Sequence, residues 1–77
     1  MQCEIYKCSK KSETYLYVEK PIVRDELPGT LLDILGDLSL VMELEITPDT
    51  RLASEDASQV LAQVQEQGFY LQLPPKI

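Results

Sequence analysis

Histidine is absent from this 77-residue sequence. With it go the commonest general base and the Ser-His and Cys-His pairs of nucleophilic catalysis. Glycine is scarce as well: Gly29, Gly36 and Gly68 stand alone, so no glycine-rich loop exists to cradle a phosphate. Cysteine is limited to Cys3 and Cys8, five positions apart. On a strand, that odd spacing sends the two side chains to opposite faces, about 16 Å apart and beyond disulfide reach. Without histidine or further cysteine they complete no metal set, which leaves two buried or half-buried thiols in a reducing compartment. No apolar run approaches the roughly 18 residues of a membrane span. The N-terminal "MQCEIYKCSK" has neither a basic n-region nor an apolar h-region, so a cytoplasmic location is expected.

Basic charge is also in short supply. Seven Lys and Arg stand against thirteen Asp and Glu, a net charge of −6 that on average repels phosphate backbones and anionic membranes. The charge is unevenly spread: residues 1–24 carry five basic and three acidic side chains, residues 25–77 two basic and ten acidic. An anion-seeking surface therefore has to come from the N-terminal third, and a surface for a basic partner from the rest. At 44% hydrophobic the chain can fold, and its length suits one domain over residues 1–77 with a small core.

Strand formers dominate residues 2–8, "QCEIYKC", and 14–19, "TYLYVE", with "SKKSE" between them as a hairpin loop. In the second strand Leu16 and Val18 point to one face, Tyr15 and Tyr17 to the other. After a connection broken by Pro21, "TLLDILG" predicts a short apolar helix stopped by Gly36. "LSLVMELEI" at 38–46 predicts a strand with Leu40, Met42, Leu44 and Ile46 in one apolar row and Val41, Glu43 and Glu45 in the other. Ser54 suits the N-cap of a second helix, with Glu55 and Asp56 in its first turn. Ala57, Val60, Leu61 and Val64 form its apolar stripe and Gly68 its stop. "FYLQL" at 69–73 predicts a last strand, closed by Pro74 and Pro75. The pattern is an α/β fold in ββαβαβ order, built on a small, mostly antiparallel sheet.

Three groups of side chains could carry a function. Lys7, Lys10 and Lys11 form the one basic cluster; with Tyr15 and Tyr17 it could hold single-stranded nucleic acid by charge and stacking. The plainer reading is a solvated hairpin tip whose lysines keep a sheet edge from pairing. Tyr15, Tyr17 and Tyr70 could form a patch for a partner protein, or pack beneath a helix with their hydroxyls in water. Glu43 and Glu45 share a strand face and could bind a divalent cation in a small metal-dependent hydrolase. With no third ligand visible, they more simply mark the strand's wet face.

"CEIYKCSKKSETYLYVE" at 3–19 and "QGFYLQLPP" at 67–75 together resemble the YcgL family of small gammaproteobacterial proteins. The resemblance implies an α/β/α sandwich with helices packed on both faces of the sheet. The long helix is then expected over the Leu16 and Val18 face, and the short apolar helix over the tyrosine face. No catalytic residue, cofactor or metal comes with the family. An association with ribonuclease D does, and it points to a non-enzymatic interaction or regulatory module in bacterial RNA metabolism. Lys10, Lys11, Tyr15, Tyr17, Glu43, Glu45 and Tyr70 are its candidate surface.

Overall fold

Alternation along two adjacent strands sets the frame. In a computed structural model, which describes residues 1–20, 27–52 and 56–73, β1 (Gln2–Cys8) and β2 (Tyr15–Glu19) form an antiparallel hairpin. Helix α1 (Gly29–Leu35), strand β3 (Leu38–Glu45), helix α2 (Ala57–Gln67) and strand β4 (Tyr70–Gln72) follow. The result is a small α/β fold with two helices and one four-stranded sheet, ordered β3-β1-β2-β4. Each neighbouring pair is antiparallel. Ser54 and Glu55, and Pro21, Pro74 and Pro75, lie outside the described residues.

Two apolar clusters sit on opposite faces of the hairpin. Cys3, Ile5 and Tyr17 join Ala57, Val60 and Val64 of α2 in one; Tyr6, Cys8, Leu16 and Val18 join Leu35 of α1 in the other. The helices are therefore exchanged relative to expectation: the long one covers the tyrosines and the short one covers Leu16 and Val18. The small stripe of α2 lies with Cys3, Ile5 and Tyr17, and Tyr15 and Tyr70 pack against the same cluster. Leu31, Leu32 and Leu35 of α1 are larger and pack with Tyr6, Cys8, Leu16 and Val18.

The helix ends are local chemistry. Asp56, expected in the first turn of α2, is instead its N-cap, with Oδ1 accepting from the Ser58 N–H at 2.9 Å. Gly68 closes the helix in the left-handed region, at φ 90°. Helix α1 has no side-chain cap at its start. Its C-terminal end is held by the hairpin loop: Lys10 N–H donates to Leu35 O, and Lys10 Nζ donates to Asp33 O at 3.1 Å. Ser9 Oγ accepts from Asp37 N–H at 2.8 Å. Gly36 turns there at φ 78°, where a Cβ would overlap Ser9 Oγ and lie 2.7 Å from Lys10 Cγ.

The expected single apolar row of β3 does not form. Ile5 pairs with Met42 but Tyr6 pairs with Leu40, so a β-bulge leaves Val41 as the extra residue. One extra residue reverses the alternation. Met42 and Leu44 thus lie beside Ile5 and Cys3 on the α2 face, while Leu38 and Leu40 lie beside Cys8 and Tyr6 on the α1 face. Beyond the strand, Ile46 is fully buried in the α2 cluster, and its carbonyl accepts from the N-terminal ammonium at 3.0 Å.

Candidate interaction surface

The hairpin loop borders an open hollow of about 510 Å³ lined by Lys7, Cys8, Ser9, Lys10, Ser12 and Ser39. Lysines and hydroxyls here could meet an anion, but the loop's first task is structural. Lys10 and Ser9 hold the end of α1, whose last carbonyls carry the negative end of the helix dipole. Lys7 and Lys11 are exposed. The Cys8 thiol in the wall is buried, and desolvation raises its pKa above the ordinary 9.0, so it stays protonated at neutral pH.

The tyrosines form no open platform. Tyr17 is buried, its hydroxyl donates to Gln72 Oε1 at 2.6 Å, and its ring meets Tyr70 edge to face with centroids 5.8 Å apart. Tyr15 and Tyr70 are half-buried and pack against the α2 cluster. Stacking of bases on Tyr15 and Tyr17 would require α2 to lift away. The structure does not bring these rings together with Lys10 and Lys11 as one surface.

Glu43 and Glu45 do share a face, and their neighbours define what they do. Glu43 lies opposite Glu4 across the β1–β3 ladder, and Glu45 lies opposite Gln2. Glu4 is buried, with Oε1 accepting from the Tyr6 hydroxyl at 3.1 Å. Lys20 Nζ pairs with Glu43 Oε1 at 2.9 Å. That contact, first through its hydrogen bond and then through its charge, raises the Lys20 pKa above 10.5. Glu45 accepts from Gln2 Nε2 at 3.3 Å. Among the described residues no group of three or more metal-type ligands converges.

Sequence reasoning missed the residues between these acids and the hairpin loop. Leu40, Val41 and Met42 are 53%, 51% and 46% exposed, although the alternation puts Leu40 and Met42 in one apolar row. Nearby in sequence, Ile34 of α1 is also exposed. A signal was available: "LVM" is an apolar run where strict alternation demands a polar residue. On the far side of β3 no strand follows among the described residues, so it is an edge strand there, with Leu40 on one face of the sheet and Met42 on the other. Among those residues no helix is long and apolar enough to cross a membrane.

Comparison with known proteins agrees over nearly the whole chain. A family model described as the YcgL domain matches residues 3–75. A YcgL domain-containing protein of Pseudomonas aeruginosa is 44% identical over 73 residues, covering 95% of this chain and 75% of its own length. One of Shewanella oneidensis is 44% identical over 75 residues, covering 97% and 82%. One of Shewanella halifaxensis is 42% identical over 77 residues, covering 100% and 83%.

Proposed function

The chain belongs to the YcgL domain family, and on that premise we propose that it is a non-enzymatic protein-interaction module. It acts as an accessory or regulator in bacterial RNA metabolism, in the cytoplasm, with ribonuclease D as the first partner to test. Its frame is read as an α/β/α sandwich of ββαβαβ order, supported by one apolar cluster beneath each helix.

One observation carries the reading: β3 presents Leu40, Val41 and Met42 to solvent beside the acidic Glu43 and Glu45. Apolar side chains exposed along a sheet edge cost solubility when left in water, and the acids on the Leu40 face suit encounter with a basic surface. Direct nucleic-acid binding is the weaker alternative, because Lys10 is engaged by α1 and Tyr17 is buried.

The test is direct titration of purified ribonuclease D from the same organism, before and after nuclease digestion. Binding should survive digestion, fall on Val41→Lys and on the double change Glu43→Lys with Glu45→Lys, and persist when Lys7 and Lys11 become glutamate. Dependence on Lys7 and Lys11, with loss on digestion, would transfer the function to the hairpin loop.

A further inference from the structure

The way β3 meets its partner follows from its pattern beyond the bulge. Residues 42–45 read Met-Glu-Leu-Glu, a strict alternation of apolar and acidic. Met42 and Leu44 project on the α2 face beside Ile5 and Cys3, Glu43 and Glu45 on the opposite face beside Glu4 and Gln2. Each row continues a row of β1 and ends abruptly at the sheet edge. Among the described residues the edge protections of β3 are the bulge and the two glutamates: it holds neither lysine nor proline, and it runs for eight residues. The other edge strand, β4, has three.

We infer that the outer edge of β3 accepts an extended segment of a basic partner protein as an added strand. The segment places apolar side chains beside Met42 and Leu44, and lysine or arginine beside Glu43 and Glu45. This rests on the interaction reading above and specifies its partner's chemistry. Strand addition draws affinity from main-chain hydrogen bonds and selectivity from alternating side chains. Charge decides between occupants. A second copy would bring another net charge of −6 to an edge that already carries two glutamates, whereas a segment alternating apolar and basic residues is complementary to both rows. Lys20, whose N–H donates to Gln2 O of β1, contacts Glu43 Oε1 with both side chains half-exposed, so the acidic row keeps its contact with solvent.

The experiment uses isotope-labelled full chain and a capped eight-residue peptide alternating lysine and valine, with amide shifts and hydrogen exchange read residue by residue. Slowed exchange should be confined to residues 40–45 and should appear at alternate amides. Two control peptides should bind at least about tenfold more weakly: one alternating glutamate and valine, and the lysine–valine peptide N-methylated at every second residue. Glu43→Lys with Glu45→Lys should reverse the preference between the lysine and glutamate peptides.

Equal binding of the N-methylated peptide would reduce the contact to charge alone and overturn strand addition. Protection outside β3 would do the same. Protection of residues 40–45 that grows with protein concentration and no peptide would make a second copy the occupant, again overturning the proposal. If the peptide fails while ribonuclease D still binds in a Val41-dependent way, the surface stands and only the strand mode falls.

Discussion

β2 and β3 flank the same central strand, and both are rich in apolar residues, yet they meet opposite fates. In β2, Leu16, Tyr17 and Val18 are all buried, with Leu16 fully so, because α1 closes one face and α2 the other. In β3, Leu40, Val41 and Met42 stay about half exposed, since neither helix reaches over the edge and the bulge splits the apolar row between faces. The difference teaches that a strand's hydrophobicity records what it can bury, while its place in the sheet decides what it does bury. A covered strand holds the fold together, and a bare one is available for a partner.

Substitution should show that division most strongly. Leu16→Ala removes a fully buried side chain and should cost about 2–5 kcal/mol. A domain of this size has only about 4–12 kcal/mol in total. Met42→Ala, half exposed at the edge, should cost well under that and leave the fold intact. Urea denaturation of both variants checks the comparison, and equal losses would break it.

Gly36→Ala comes next. It strains a left-handed position and drives a methyl into Ser9 and Lys10, loosening the anchor of the helix that covers Leu16 and Val18 of β2. A loss of about 1–2 kcal/mol is expected. Met42 and its neighbours should show unchanged exchange while amides around Leu16 become less protected.

The smallest effect concerns β1, which both strands share. Burial raises the pKa of Cys3 and Cys8 above 9.0, with Glu19 adding to the rise at Cys3 and the N-terminal ammonium opposing it. Their contribution to stability is complete below pH 9.0 and is lost as pH climbs through the raised folded values, because the unfolded thiols ionise first. Melting followed from pH 8 to 11 should show a decline that is shallower in the Cys3→Ala, Cys8→Ala double variant. A thiol probe should react with neither cysteine until the protein unfolds.

The sequence by itself determined the pieces. Strand alternation located β1 over residues 2–8, and the opposed faces of Cys3 and Cys8 followed from spacing alone. The stripe Ala57, Val60 and Val64, with Gly68 as stop, located α2. These features are local: a period of two or of 3.6 is imposed by backbone geometry before any tertiary contact forms. The cap of α2 was misplaced because Ser54 and Asp56 offer the same chemistry to a helix start, and only the chain's path selects one.

Tertiary structure alone decided which helix covers which face, since both faces of the hairpin are apolar enough to accept either. Packing in the folded chain settled the choice, setting α2 with Cys3, Ile5 and Tyr17 and α1 with Tyr6, Cys8, Leu16 and Val18. It also placed the bulge at Val41, which splits the expected apolar row and leaves Leu40 and Met42 on opposite faces, both exposed. The candidate site was therefore legible only in its acids, Glu43 and Glu45, and not in the apolar residues beside them. A residue's side of a sheet depends on the pairing register with a distant strand, and register is a property of two segments that neither carries alone.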